Sequence, residues 1–235
     1  MQRSSSGSRS TTDGPSTPGP SARQIAAIYT RLAAVYDVWA WALERRSLSV
    51  ALSRADLRDG EAVLEVAVGS GRVFREVLRR NPSGRNVGTD LAAGMLAQTR
   101  ARAERTGVPF ALELADARRL PFEDASFDLV LCNNMLGLLP GADVAPAVRE
   151  LLRVLRPGGR LALVMMRHPE RTIPRWIYRL GAMRLGGWRD VELAPILRAN
   201  GLPDVQREVV TQLGFPSEIL LGRKPRPVRV DGEEV

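Results

Sequence analysis

A run of small residues separates two apolar segments in the first half of the chain. The apolar run from Ala62 enters the loop 67–71, of sequence AVGSG, and the next apolar segment ends in Asp90. Small residues let a backbone approach a nucleotide-like ligand closely, and a carboxylate can accept hydrogen bonds from both hydroxyls of a ribose. The spacing therefore predicts a strand, a tight loop, a helix and a second strand that together hold an adenosine-containing cofactor.

Further polar residues stand beside the neighbouring apolar segments. Glu65 precedes the glycines of the loop, Asp116 follows the third apolar segment, and Asn133 ends the fourth. A Pro-Gly-Gly turn at 157–159 precedes the fifth. A nicotinamide-binding Rossmann fold has a similar loop and acid, but these additional features favour a different cofactor.

From residue 62 onwards, segments of strand length alternate with segments of helical periodicity. Such alternation predicts a parallel sheet covered on both faces by helices, with ligands bound beyond the carboxyl ends of the strands. The predicted strands are 62–68, 86–90, 110–114, 127–132, 161–166, 205–213 and 218–221. The predicted helices are 72–80, 92–106, 144–155 and 191–200.

Together, these motifs resemble those of the class I S-adenosylmethionine-dependent methyltransferases, over residues 61–167 and, with the two last strands, to about residue 221. The segment 29–37, YTRLAAVYD, is similar to the entry segment of the ubiquinone/menaquinone C-methyltransferases and of related phosphatidylethanolamine N-methyltransferases. The resemblance implies an α/β, Rossmann-like three-layer sandwich. Its mostly parallel seven-stranded sheet would have the final strand antiparallel at the edge, and a helical lid would precede it.

The resemblance also implies which residues contact S-adenosylmethionine at its methionine end. Glu65 would wrap the methionine part together with the loop, and the backbone of Asn133 would lie near the ammonium group. Tyr29 and Tyr36 would close the pocket. Asn133 as an ordinary loop residue is the alternative. The loop residues predicted to contact the cofactor are Ala67, Gly69, Ser70 and Gly71.

At the nucleoside end, the family resemblance assigns Asp90 to the ribose hydroxyls and Leu91 to the adenine ring. Asp116 would accept a hydrogen bond from the adenine amino group, beside the backbone amide of Ala117. The alternatives are that Asp90 caps the following helix and that Asp116 is a turn residue.

Ala67 departs from the family pattern, which has a glycine at this position. If the position needs a positive φ, alanine is strained there. Weak cofactor binding would then favour the alternative of a non-catalytic, methyltransferase-like protein that binds a partner. A nicotinamide-dependent oxidoreductase is the remaining alternative. It is disfavoured because Lys224, the only lysine, cannot supply the usual Tyr–Lys proton-donor pair.

Methyl transfer from a sulfonium mainly requires that donor and acceptor are aligned at contact distance. If a general base is needed, the candidate is His168, the only histidine, which follows the fifth strand. Arg171, Arg175 and Arg179 alternate with apolar residues in a pattern that suits contact with an anionic membrane; a solvated helix face is the alternative. We therefore expect a small, apolar or lipid-like acceptor of the quinone or phospholipid type.

Composition limits the remaining classes of function. The chain has 235 residues and a formal net charge of +8, yet it contains no basic block, so we expect no nucleic-acid partner. It also has no metal-spaced Cys/His set, and a single cysteine fits a cytoplasmic protein. The Arg/Ser-rich start leaves organellar targeting open. The expected organisation is a disordered tail at 1–21, a helical lid at 22–58, the methyltransferase domain at 59–222 and a flexible tail at 223–235.

Overall fold

The computed structural model describes residues 45–167 and 191–227, in which a seven-stranded sheet lies between two layers of helices. The strands are β1 (Ala62–Val66), β2 (Arg85–Asp90), β3 (Ala111–Leu114), β4 (Phe127–Asn133), β5 (Leu155–Met166), β6 (Val205–Gln212) and β7 (Phe215–Arg223). The helices are α1 (residues 45–54), α2 (Arg72–Arg80), α3 (Ala93–Ala103), α4 (Gly141–Val154) and α5 (Leu193–Ala199). Short 3₁₀ helices span Glu104–Thr106 and Leu136–Leu138.

The strand order β3-β2-β1-β4-β5-β7-β6 contains the switch point at which ligands bind in sheets of this type. The chain runs outward from β1 to β2 and β3, and then returns to place β4 on the other side of β1. These strands and β5 pair in parallel. Consecutive crossovers therefore diverge between β1 and β4, and they leave a crevice at the carboxyl ends of these two strands.

The predicted fold class is confirmed, with one correction to the position of the final strand. β7 is antiparallel as predicted, but it lies between β5 and β6, and β6 forms the edge. A two-residue turn at Leu213 and Gly214, with φ angles of 51° and 82°, joins β6 to β7. Positive φ angles at both residues are typical of tight hairpins, so β7 folds back along β6 and also pairs with β5.

The two faces of the sheet pack against different helices because alternate side chains of each strand point to opposite faces. Leu64 and Val66 belong to a core that includes residues of α4 and α5. Val63 belongs to a second core with residues of α1 and α2, and Phe74 of α2 packs with Ala103 of α3. These layers hold the carboxyl ends of the central strands in fixed positions.

The boundaries of β1 and β5 are among those that differ from the sequence-based expectation. β1 ends at Val66 instead of residue 68, because Ala67 adopts a φ of 59° and turns the chain out of the sheet. β5 begins at Leu155, six residues earlier than expected, and the register between β4 and β5 is irregular there. Within the described residues, none of the helices combines the length and apolar character needed to cross a membrane.

Candidate functional site

The loop between β1 and α2 has the left-handed backbone that its glycines predict. Gly69 has a φ of 54° and Gly71 a φ of 77°. A Cβ at Gly71 would lie 2.8 Å from the Cα of Thr99 in α3, so this position requires glycine both for its conformation and for space. Thr99 also donates from its hydroxyl to the carbonyl oxygen of Gly69 at 2.8 Å. Helix α3 therefore supports the loop from behind.

Asp90, the last residue of β2, holds the same loop from the side. Its Oδ2 accepts the backbone N–H of Gly69 at 2.9 Å, and its Oδ1 accepts that of Ala92 at 2.9 Å. Burial raises the pKa of Asp90, and these N–H donors act against the rise. Each carboxylate oxygen retains acceptor capacity. Asp90 therefore braces the loop and can still accept further hydrogen bonds from a ligand.

Glu65 in β1 has an incomplete set of hydrogen bonds. It is 1% exposed, its Oε1 accepts the side-chain N–H of Asn133 at 3.3 Å, and its Oε2 is buried without a hydrogen-bond partner. Burial raises the pKa of Glu65 to about 8, and the nearby Asp90 adds to the rise, whereas the bond from Asn133 opposes it. A cation at Oε2 would complete the bonding of this carboxyl group and favour its ionised form.

Asp116 lies after β3 in a different environment from the other two acids. Its carboxylate accepts the guanidinium of Arg118, at 2.6 Å from Nη2 to Oδ2, and also the backbone N–H of Arg118 at 2.9 Å. The Arg118 guanidinium lowers the pKa of Asp116, and it also bonds to Asp143 at 2.8 Å. The acceptor capacity of Asp116 is therefore largely used within the protein. Arg118 was not identified from the sequence, where no spacing marks it.

These polar groups line one cleft of about 440 Å³ at the carboxyl ends of the strands. Asp116, Asp90, Glu65 and Asn133 stand on β3, β2, β1 and β4 or directly after them, and these four strands are neighbours in that order. The cleft therefore has a row of polar groups along its length, in which Glu65 and Asp90 retain acceptor capacity. This row suits an elongated ligand that carries donors at several points.

Two comparisons of sequence decide which family contains this arrangement. The sequence family described as "Methyltransferase domain" matches residues 63–159. A demethylmenaquinone methyltransferase of Thermobifida fusca is 34% identical over 170 residues, which cover 68% of this chain and 70% of that protein. The chain belongs to the class I S-adenosylmethionine-dependent methyltransferases. The predicted family, and with it the predicted cofactor, is confirmed.

Further comparisons give the extent of the similarity to individual relatives. A demethylmenaquinone methyltransferase of Thermus thermophilus is 36% identical over 141 residues, which cover 60% of this chain and 61% of that protein. The chain spans less than two thirds of the length of several such relatives, down to 48%. The fold also matches the 1,6-didemethyltoxoflavin-N1-methyltransferase of Burkholderia thailandensis, solved with 1,6-didemethyltoxoflavin and S-adenosylhomocysteine. The TM-score is 0.71 at 20% identity, with 90% of this chain and 93% of that one covered.

Most of the residues predicted to contact the cofactor lie in the wall of this cleft. The exception among the described residues is Gly71, which does not line the cleft and is the N-cap residue of α2. The predicted roles of Tyr29, Tyr36 and His168 concern residues outside the described ranges. The predicted residues that line the cleft are Glu65, Ala67, Gly69, Ser70, Asp90, Leu91, Asp116, Ala117 and Asn133.

The structure adds cleft residues that sequence reasoning missed. Leu48 and Leu52 of α1 form an apolar part of the wall, and they belong to the segment expected to act as a lid. Asn134 also lines the cleft, next to the predicted Asn133. The Asn-Asn pair was visible in the sequence, but nothing in it distinguished the second residue.

The residues present fit S-adenosylmethionine at both polar ends. The unpartnered Oε2 of Glu65 matches a ligand ammonium group, and the free acceptor capacity of Asp90 matches two ribose hydroxyls. Asp116 can accept a hydrogen bond from the adenine amino group only if Arg118 gives up one of its hydrogen bonds to the carboxylate. The individual contacts remain predictions.

Proposed function

We propose that this methyltransferase transfers a methyl group from S-adenosylmethionine to a ring carbon of a quinol-type acceptor. The observation that carries the proposal is the 34% identity to a demethylmenaquinone methyltransferase across 70% of that protein's length. An apolar acceptor also suits the cleft wall, to which Leu48, Leu52, Val73, Met135 and Leu139 contribute.

When bound, S-adenosylmethionine supplies an electrophilic methyl group on a positively charged sulfur. The contribution of the protein is to align the two reactants and to exclude water. Glu65 would hold the ammonium group, and Asp90 would hold the ribose, so that the reacting end is fixed from both sides. The loop 67–71 would lie against the cofactor, where its left-handed turns bring the backbone close to the ligand.

Transfer to a ring carbon releases the proton which that carbon carried. His168 is the candidate that would receive this proton, because its ordinary pKa lies near neutrality. The proposal of peripheral contact with an anionic membrane rests on Arg171, Arg175 and Arg179. Both suggestions concern residues outside the described ranges and rest on the sequence alone.

One observation favours a second candidate function, a methyltransferase-like protein with weak cofactor binding that serves a partner. Ala67 occupies a position with a φ of 59°, where a Cβ is unfavourable. The strain falls in the loop that would approach the cofactor. A protein that no longer needs tight cofactor binding could tolerate it.

Calorimetric titration with S-adenosylmethionine tests the cofactor, with NADH as the competing ligand. We expect micromolar binding of S-adenosylmethionine that Asp90→Ala abolishes. The matched control is Asp204→Ala, because Asp204 is an exposed carboxylate outside the cleft. A second step offers a prenylated 1,4-dihydroxynaphthalene as methyl acceptor and detects the product by mass.

The outcomes separate the alternatives. Binding of S-adenosylmethionine with methylation of the ring carbon supports the proposal. Binding without methylation of this ring excludes the quinol acceptor, and a phospholipid headgroup is then the next class to try. No binding of S-adenosylmethionine by the wild type favours the partner-binding alternative.

A further inference from the structure

Asn134 holds an unusual position at the carboxyl end of β4. Its backbone has a φ of 53°, in the left-handed region. Its backbone N–H donates to the carbonyl oxygen of Val164 at 2.7 Å, and its side-chain Oδ1 accepts the backbone N–H of Met166 at 2.9 Å. Both bonds tie Asn134 to β5, so its side chain is held in one orientation.

The hydrogen bond from Met166 also identifies which terminal atom of the Asn134 side-chain amide is the oxygen. A backbone N–H can only donate, so the side-chain atom that receives it must be the oxygen. The nitrogen Nδ2 is then the other end of the amide. It is buried and has no hydrogen-bond partner, although the residue itself, at 7% exposed, lies in the cleft wall.

Few buried side-chain atoms lack a partner in the part of the chain that the structure describes. They are Glu65 Oε2, Thr89 Oγ1 and Asn134 Nδ2, and Glu65 and Asn134 line the cleft. Leaving a buried donor unpaired is costly, and native proteins rarely do so without a reason. An acceptor atom on a ligand would remove the cost at Asn134, as an ammonium group would at Glu65.

The order of the strands indicates which ligand that is. Asp116, Asp90 and Glu65 follow the proposed cofactor from adenine to methionine across β3, β2 and β1. Asn134 lies one strand further, on the β5 side of β4, and is therefore beyond the methionine end. A methyl acceptor must approach the methyl carbon on the side opposite the sulfur. Asn134 lines the cleft together with the apolar Met135 and Leu139, so it borders the space proposed for the acceptor.

We propose that Asn134 Nδ2 donates a hydrogen bond to a ring oxygen of the acceptor and so restricts the acceptors to hydroxylated aromatic rings. This inference rests on the proposed function. In the reaction, the carbon–sulfur bond breaks with its electrons on sulfur, and ring electrons form the new carbon–carbon bond. The ring carbon then loses its proton to a general base or to solvent water. A donor at the ring oxygen stabilises the electron-rich phenolate form of the ring that attacks the methyl group.

Two variants remove the donor in different ways. Asn134→Asp keeps an oxygen for Met166 and replaces the donor with an acceptor. Asn134→Gly removes the side chain and suits a φ of 53°, so it covers the case in which a buried carboxylate prevents folding. The matched control is Asn200→Asp at the end of α5, where the side-chain N–H donates to the local carbonyl oxygen of Ile196.

Each protein is titrated with S-adenosylhomocysteine and then, in its presence, with two rings. One ring is prenylated 1,4-dihydroxynaphthalene, and the other is the same prenylated ring without hydroxyls. We expect wild type and the Asn200 control to prefer the hydroxylated ring at least about tenfold, the size expected for one hydrogen bond at a buried donor. Both Asn134 variants should lose this preference while their dissociation constants for S-adenosylhomocysteine stay within about threefold of wild type.

Three results would overturn the proposal. A preference kept by both Asn134 variants would show that Nδ2 does not contact the acceptor. A drop of about tenfold or more in affinity for S-adenosylhomocysteine, with the ring preference intact, would assign Asn134 to the cofactor instead. If wild type bound S-adenosylhomocysteine but neither ring, the quinol acceptor itself would be wrong, and this inference would fail with it.

Discussion

The side chain of Asn133 donates to Glu65 Oε1 across the neighbouring strands β4 and β1, and it leaves Oε2 of the same carboxyl group buried without a partner. The described part of the protein thus supplies a hydrogen-bond partner for one of the two carboxyl oxygens of Glu65. In the unliganded protein Glu65 holds a proton at neutral pH, because burial raises its pKa to about 8. This single pairing gives two measurable consequences.

The first consequence is a pH-dependent stability. A carboxyl group whose pKa is about 8 in the folded protein and 4.5 in the unfolded chain stabilises the fold most below pH 4.5. That contribution is lost as pH rises towards 8, since the unfolded chain releases its proton first. Between pH 5 and 8, the free energy of unfolding should fall by up to about 1.4 kcal/mol per pH unit from this group.

Urea unfolding of wild type and Glu65→Gln at pH 5, 6.5 and 8 measures this contribution. The variant cannot ionise, so its stability relative to wild type should rise with pH. Asp90, whose pKa is also raised, contributes equally to both proteins and cancels in the comparison. Parallel pH profiles for the two proteins would show that Glu65 is already ionised.

The second consequence is proton release when the cofactor binds. If the ammonium group of S-adenosylmethionine pairs with Glu65, the carboxyl group must ionise, and near pH 6.5 it should release close to one proton. Calorimetry in phosphate and in Tris, which differ in ionisation enthalpy, counts that proton. Glu65→Gln should release none and bind about 10–100-fold more weakly, the loss of one charged hydrogen bond. Equal proton release by the variant would contradict the pairing.

Much of the site was predictable because it depends on local features. The glycine loop and Asp90 were predicted from spacing, since a strand, a turn and a helix must follow in that order, and Glu65 was predicted from the family resemblance; Asp90 and Glu65 line the cleft. The pairing of Asn133 with Glu65 was not found. It depends on β4 lying beside β1, although the residues are 68 positions apart.

The location of β7 was missed for a related reason. Strand content and direction follow from local patterning and the short turn at Leu213 and Gly214. Which strands lie beside β7 depends instead on which edge of the sheet is free to pair, and local patterning does not report this. Likewise, the pairing of Arg118 with Asp116 depends on side-chain orientation, which the spacing of residues in the sequence does not indicate.

The Arg118 pairing predicts a competition at the adenine end of the cleft. Arg118→Ala frees the Asp116 carboxylate, so affinity for S-adenosylmethionine should rise a few-fold, up to about tenfold, if Asp116 binds the adenine amino group. The stability cost should be about 1 kcal/mol or less, because the pair is about a third exposed, with side-chain exposures of 36% and 32%.

The control for this competition is Asp143→Ala, which removes the other partner of Arg118 and leaves the bond to Asp116 in place. It should not raise the affinity. Asp116→Asn should weaken binding in the Arg118→Ala background if the adenine contact exists. An unchanged affinity in all three proteins would assign Asp116 to the turn alone, the alternative that the sequence left open.

Substitution of Ala67 distinguishes a catalytically active methyltransferase from a partner-binding protein with weak cofactor affinity. Ala67→Gly should stabilise the fold by about 0.5–1 kcal/mol, because glycine has no steric cost at a φ of 59° but loses more backbone entropy on folding. Gly69→Ala is the matched reverse change at a φ of 54°, where nothing lies within 4 Å of an added Cβ, and it should destabilise by a similar amount.

Cofactor affinity then gives the functional answer. If Ala67 keeps the loop from closing on the ligand, Ala67→Gly should raise affinity for S-adenosylmethionine at least about tenfold, beyond its small effect on stability. If the loop works as it stands, stability rises and affinity stays within about threefold. The first result favours the partner-binding protein, and the second favours the methyltransferase. We expect the second, because Gly69 and Asp90 keep their 2.9 Å hydrogen bond beside the strained residue.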